Sequence, residues 1–180
     1  VTLTTYDAAG RPLTVTDPLG RVTTNVYDGL GQLVEVIEPD TTVDTTDNPS
    51  VRTFYTHHGK PWKVIDQMGH ETRTLYDALG RPVQVVSPAV DGVSAITTSE
   101  YDAAGNAIKV TDALGRETAT VYDERNRPVA VYAPTVWDAN EAEFVRPVTQ
   151  TAYDALGQVT QVTDPMGAVT TKHYDRAGRN

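Results

Sequence analysis

The chain has no cysteine among its 180 residues, which excludes disulfides and thiolate zinc sites and leaves the redox compartment open. Positive charge is in deficit. The formal charge of −9 argues against a nucleic-acid backbone as partner, since such binders carry a basic face. No apolar run approaches the roughly 18 residues that a membrane helix needs, and no stretch has helical periodicity. A signal-peptide pattern is also missing, because Val1-Thr2-Leu3-Thr4-Thr5-Tyr6 already reads as a strand in mid-repeat. Terminal repeats of an array normally differ from internal ones to cap it. Neither end does so here, and the expectation is a segment of a longer polypeptide.

What the chain does have is one motif many times over. Tyr76-Asp77-Ala78-Leu79-Gly80-Arg81 recurs, with small changes, from Tyr6, Tyr27, Tyr101, Tyr153 and Tyr174, and in degenerate form from Tyr55 and Tyr122. The gaps between these tyrosines are 21, 28, 21, 25, 21, 31 and 21 residues. The repeat glycines are Gly10, Gly31, Gly59, Gly80, Gly105, Gly157 and Gly178. A recurring period of this size marks a repeat architecture, so residues 1–180 read as a single array.

Each repeat divides into two extended halves. In the first unit Arg11 to Thr16 leads to Asp17-Pro18-Leu19-Gly20, and Arg21 to Val26 leads into Tyr27. Asp-Pro-x-Gly is a turn signal, with Pro pre-setting φ and Gly accepting a positive φ. Three and five residues after each repeat glycine stand apolar residues such as Leu13 and Val15, Val34 and Val36, and Trp62 and Val64. That spacing predicts strict period-two strands with these side chains toward a core. Four and two residues before the tyrosines stand Thr72 and Thr74, Thr118 and Thr120, and Thr149 and Thr151. One face therefore presents Thr-Thr-Tyr. The reading is an all-β antiparallel meander of tandem hairpins, with about 15 strands of roughly 5–8 residues. An open sheet of that size curls, so a curved strip is expected.

Every other gap is the short one, with an Asp-x-x-Gly turn at its centre. The remaining gaps carry longer connections after a proline, from Pro39 to Pro49, Pro88 to Ala95 and Pro134 to Pro147. All the extra length falls on the edge opposite the Tyr-Asp-x-x-Gly turns.

Tyr-Asp-x-x-Gly-Arg, a following strand, Asp-Pro-x-Gly and a threonine four before the next tyrosine resemble the YD repeat of bacterial Rhs proteins. The same repeat occurs in wall-associated polymorphic toxins, shell components of insecticidal toxin complexes and animal teneurins. The resemblance covers essentially the whole chain. It implies a β-strip forming part of a hollow β-shell, which in bacterial members encloses a toxic C-terminal domain. It further implies a secreted or cell-surface protein, or one delivered by a secretion system. Partners would be the remaining repeats of the shell and the enclosed toxin. Two departures stand out. Thr56 replaces the Asp of the third unit, so its turn is expected to be less well fixed. Asn126 replaces the Gly of the sixth, and Asn tolerates the left-handed conformation that the turn requires. The family's C-terminal core motif, its aspartic-protease-like cleavage site and its toxin domain have no counterpart in these residues.

Candidate sites are few. One Asp per turn is accounted for by Asx-turn bonding, without a calcium array. His57 and His58 are adjacent and would point to opposite faces of a strand, a poor metal pair. No nucleophile motif occurs, and Asp138 and Glu141 sit in a polar insertion rather than as a glycosidase dyad. No catalytic, cofactor or metal residues are assigned, and the reading is not that of an enzyme. The repeat tyrosines and glycines are assigned structural roles, and Trp62 a packing role. Trp137 and Phe144, in the longest insertion, are the candidate contact loop. The alternative function is a carbohydrate- or wall-binding repeat, in which the tyrosines would stack on sugar rings.

Overall fold

The computed structural model describes residues 1–39, 48–175 and 178–179. It divides into two units, Val1–Ala95 and Ile96–Asn180. The first holds β1 (Leu3–Tyr6), β2 (Pro12–Thr16), β3 (Val22–Tyr27), β4 (Leu33–Ile37), β5 (Ser50–Tyr55), β6 (Pro61–Ile65), β7 (Glu71–Tyr76) and β8 (Pro82–Val90). Strand β9 (Val93–Tyr101) carries the chain into the second. There follow β10 (Ala107–Thr111), β11 (Glu117–Tyr122), β12 (Pro128–Tyr132), β13 (Val136–Asp138), β14 (Glu143–Val145), β15 (Val148–Tyr153), β16 (Val159–Thr163) and β17 (Val169–Thr171). No described residue is helical. Fifteen strands pair in chain order as an antiparallel meander, and β13 and β14 pair only with each other.

The same turn closes the hairpins on both edges. At the tyrosine edge, the Gly10 amide donates to Asp7 O (3.0 Å) and the Asp7 amide to Arg11 O (2.9 Å). At the other edge, Gly20 donates to Asp17 O (3.0 Å) and Asp17 to Arg21 O (2.9 Å). This is a three-residue loop whose last residue, fourth in Asp-x-x-Gly, is left-handed. The two degenerate turns keep it. Asn126 takes φ +59° and donates to Asp123 O at 3.0 Å. The Thr56 turn, expected to be loosely fixed, closes with bonds of 2.8 and 2.9 Å. The Thr56 hydroxyl accepts the Lys60 amide (3.1 Å) in place of the missing carboxylate.

The expectation of strict alternation fails at one position per repeat. Tyr27 pairs with Leu33 but Val26 pairs with Glu35, which leaves Val34 as an extra residue. The same bulge falls on Leu13, Trp62, Val83, Ile108, Val129 and Thr160. The hairpins closed by the other turns have none, as in the even register of β2 with β3. A bulge adds one residue to one strand and raises the local twist. The residue three after each glycine is therefore the bulge, not a regular inward-facing position.

The expected core is also absent: none of the described residues is buried. The sheet is a single layer, and its faces differ. On the tyrosine face, rows run Thr53–Val64–Thr72 and Thr120–Val131–Thr149, uncharged in each repeat. The opposite face carries the strand charges, in rows such as Val26–Glu35–Arg52–Ile65 and Phe54–Lys63–Arg73–Val86. Alternation of β-branched and polar residues here serves cross-strand pairing.

Of the three insertions, the first lies in residues 40–47, outside the described residues, apart from its base, where the Glu38 amide donates to Pro49 O (2.9 Å). The second is not a loop. Strands β8 and β9 grow to nine residues each and meet at Asp91-Gly92, with φ of +51° and +79°, as a two-residue primed turn requires. The third is the β13–β14 hairpin, closed at its base by Ala133 donating to Pro147 O (2.8 Å).

The edges differ in what a side chain on the glycine would meet. A Cβ on Gly31 would lie 2.7 Å from the Arg11 guanidinium, and one on Gly80 would lie 3.2 Å from Lys60 Cε. Around Gly20, Gly69, Gly115 and Gly167 there is open space. All have positive φ. Gly20→Ala is accordingly expected to cost about 1 kcal/mol of backbone strain. Gly31→Ala is expected to cost more, because Arg11 must move. Equal losses in urea melts of the two variants would show that the stacked turn has slack.

Candidate functional site

The candidate site is the row of Tyr-Asp-x-x-Gly turns, where most of the sequence-selected residues collect. Each Asp acts on its own turn. Asp7 Oδ1 accepts the amides of Ala9 (2.8 Å) and Arg11 (2.9 Å), while Oδ2 accepts Arg11 Nε and Nη2, both at 2.6 Å. Asp123 with Arg127 repeats this bidentate arrangement, and Asp77 accepts the amides of Leu79 and Arg81 and the Arg81 Nε. Gln32 and Asn106 substitute an amide for the guanidinium, on Asp28 and Asp102. Such charge-assisted forks are the stronger class of hydrogen bond.

The residue after the glycine reaches onward to the next turn. Arg11 lies over Gly31, Gln32 over Gly59, and Lys60 over Gly80. In the second unit Asn106 Nδ2 donates to Asn126 Oδ1 (2.8 Å), and Arg127 and Gln158 lie over Gly157 and Gly178. Arg127 Nη1 donates to Asp154 O (3.4 Å), and Arg125 Nη1 to Ala155 O (2.8 Å). The glycine is thus required twice over, for its positive φ and for the bare surface it offers.

The tyrosine reaches back. Its hydroxyl donates to the carbonyl two residues after the preceding repeat glycine: Tyr27 to Pro12 (3.1 Å), Tyr55 to Leu33 (2.9 Å) and Tyr76 to Pro61 (2.8 Å). Tyr122 to Ala107 (3.2 Å) and Tyr174 to Val159 (3.0 Å) do the same, and Tyr153 bonds Pro128 O (2.9 Å), the position two after Asn126. Arg11 and Arg127 sit over the rings of Tyr27 and Tyr153, 4.6 and 4.4 Å from their centroids, a cation–π geometry. Tyr6 is exposed and Tyr101 half-buried. This onward reach leaves no local signal in the residues, because the partner lies 20 or more residues away at a distance that the insertions vary.

Trp137 and Phe144 form one edge-to-face pair, with ring centroids 5.1 Å apart. They lie on the β13–β14 hairpin and are 56% and 72% exposed, so the hairpin does not tuck them onto a sheet. His57 and His58 sit in a turn rather than on a strand, with ring centroids 3.6 Å apart. Among the described residues no three His, Asp or Glu side chains converge as a metal group would. A feature missed at the sequence level is the third residue of the Asp-x-x-Gly turns. Leu19, Met68, Leu114 and Met166 are all at least 77% exposed at the edge opposite the tyrosines.

The motif's family can now be stated. A sequence model described as RHS Repeat matches residues 6–43, 101–135 and 153–179, more than half of the chain. The chain belongs to the RHS repeat family. No curated protein matches it. Solved structures do match this RHS repeat chain. TcdB2-TccC3 without its hypervariable C-terminal region is 20% identical with a TM-score of 0.79, over 99% of this chain and 10% of that one. TcdB2-TccC3-Cdc42 is 18% identical with a TM-score of 0.73, over 99% and 9%. The Tc holotoxin pore of Photorhabdus luminescens is 18% identical with a TM-score of 0.72, over 94% and 9%. The likeness is one of fold, and this chain spans about a tenth of the length of those structures.

The turn carboxylates give the RHS repeats a pH signature. Those of Asp7, Asp17 and Asp77 are held below the ordinary 3.8, first by the backbone N–H of the arginine four residues on and also by its guanidinium. In Asp112 and Asp123 the guanidinium hydrogen bond leads, and the backbone N–H follows. A depressed folded pKa contributes stability above the unfolded value and loses it as pH falls through the folded one. The melting temperature is therefore expected to hold at neutral pH and to drop below about pH 4. Replacing Asp77 and Asp123 by Asn should flatten that drop; an unchanged acid limb would remove the turns as its cause.

The tyrosines give a second test. Tyr76→Phe loses the bond to Pro61 and should cost about 0.5–1.5 kcal/mol. Tyr76→Ala also loses a half-buried ring, and about 2 kcal/mol is expected, less than a core aromatic would cost. A melting curve unmoved by Tyr76→Ala would overturn the structural reading of the ring.

Proposed function

We propose that the chain is one uninterrupted array of YD repeats serving as a wall segment of a hollow β-shell, in an Rhs-type polymorphic toxin. The shell encloses a C-terminal toxin or effector domain. The observation that carries this reading is where the repeat's polar groups go. The Asp binds its own turn, the residue after the glycine covers the next turn, and the tyrosine hydroxyl bonds the preceding repeat. Groups capable of chemistry are engaged in holding neighbours together, as in a stack of repeats stabilised by nearest-neighbour interfaces.

The single layer supports the same reading. A sheet in which none of the described residues is buried does not read as a self-contained domain of two packed layers, but it suits a wall with a space on either side. Similarity to the TcdB2-TccC3 structures supports placing that wall in a toxin assembly. In this reading the protein is not an enzyme over these residues. It is bacterial, and secreted, held at the cell surface or delivered by a secretion system. Its partners are the remaining repeats and the enclosed domain, with the repeat tyrosines and glycines as structural positions and Trp137 and Phe144 as a contact with a neighbouring part of the shell.

The test uses the full-length protein. Limited proteolysis should leave the C-terminal domain intact in the wild type. Deleting Asp138 to Glu143 should keep the β circular-dichroism signature, since shortening a peripheral hairpin costs little closure entropy, yet expose that domain to cleavage. A C-terminal domain cut as fast in the wild type as in the deletion would overturn enclosure. Loss of the β signature would instead place the hairpin within the folded sheet.

A further inference from the structure

The third repeat departs from its siblings at several positions, and the departures meet in space. His57 and His58 stand where the other turns carry residues such as Ala78 and Leu79, Trp62 stands at the bulge where Val34 and Val83 stand, and Phe54 stands where Val26 and Leu75 stand. Trp62 and Phe54 are in ring contact, with centroids 6.4 Å apart. An open depression of about 800 Å³ lies between this turn and the next, lined by His57, His58, Lys60, Trp62, Leu75 and Leu79 among others. Trp62 is 38% exposed, Leu75 49% and Leu79 74%. Smaller depressions of about 530 and 400 Å³ lie between the Asp28 and Thr56 turns and between the Asp123 and Asp154 turns, but nothing in the stacking of turns calls for two aromatics and two histidines at this step.

The charge around the groove is positive in a chain whose formal charge is −9. Lys60 is in no ion pair among the described residues. Lys63 lies 4.1 Å from the Phe54 ring centroid and 5.3 Å from that of Trp62. Lys63 and Arg73 share one carboxylate, Glu71, and Asp77 is taken by Arg81. Exposed apolar surface rimmed by polar groups marks an interaction site, and aromatic and arginine side chains are the usual anchors of interface hot spots.

We infer that this depression is a docking site for an acidic polypeptide segment with an aromatic anchor. The anchor seats against Trp62, Leu75 and Leu79, and the carboxylates face Lys60 and Arg73. The inference does not depend on enclosure, because the site is built by residues of repeats three and four alone.

The test is fluorescence anisotropy on the whole chain with a labelled peptide, Gly-Glu-Asp-Trp-Glu-Asp-Gly. Saturable binding that weakens with added salt is expected, as complementary surface charge is screened. Trp62→Ala and Lys60→Glu should each weaken it by about tenfold, whereas Met68→Ala at the opposite edge should leave it unchanged. Lys60→Glu, at an exposed turn position, serves as the reading should Trp62→Ala lose its β signature. Equal binding of versions with Lys for the acids or Ala for the Trp would overturn the proposal. So would binding unaffected by Lys60→Glu, or retention of a neutral oligosaccharide with no peptide binding.

Discussion

Most turns of this sheet depend on one carboxylate that organises five consecutive residues, a task the Thr56 hydroxyl takes over in the third repeat. By accepting two backbone amides and, in many turns, a guanidinium or amide from the residue four places on, each Asp fixes the loop and aims the side chain that follows it. It aims Arg11 over Gly31 and Arg127 over Gly157, while Lys60 reaches Gly80 from a turn held by the Thr56 hydroxyl. The bond is local, but its product is the contact between repeats. Asp17 and Asp112 make the same bonds at the other edge with open space around their glycines. One chemical device therefore has two outcomes, set by what stands beside it.

With no core among the described residues, the source of stability moves from burial to pairing. In most domains an apolar interior offsets the entropy of ordering the chain. Here cross-strand rows of Thr and Val, the tyrosine hydroxyl bonds and the turn ladder carry that load, spread over every repeat. The uncharged tyrosine face and the charged opposite face are consistent with two different environments on the two sides of one layer. Long strands such as β8 and β9 extend this economy, gaining length by backbone pairing alone.

Much of this was legible in the sequence, because the repeat is written in residues with one conformational meaning each. Gly at the fourth turn position and Asp at the first dictate the loop, and period two dictates the strands. What was not legible depended on three-dimensional neighbours. The bulge at Val34 or Trp62 falls only at the tyrosine edge although the same loop closes both edges, and it leaves no mark in polarity. Valines at alternate positions suggest a core, yet a period-two pattern cannot distinguish a buried face from one row of cross-strand pairs in an open layer. Thr56 was read as a weak substitute because only the lost charge was counted, whereas its hydroxyl keeps one of the two amide bonds.

The two edges also differ in the freedom they leave to evolution. At the tyrosine edge each turn must end under the side chain of the one before, so a residue added there would lift that side chain off its glycine and shift the register of the following strand. At the opposite edge a hairpin can lengthen by equal additions to both strands, as at Asp91-Gly92, or bud a separate pair, as β13 and β14 do. Insertions can accumulate there by duplication and drift without disturbing the spacing of the other edge. Variation in length, and whatever specificity it brings, has a single rim on which to be written.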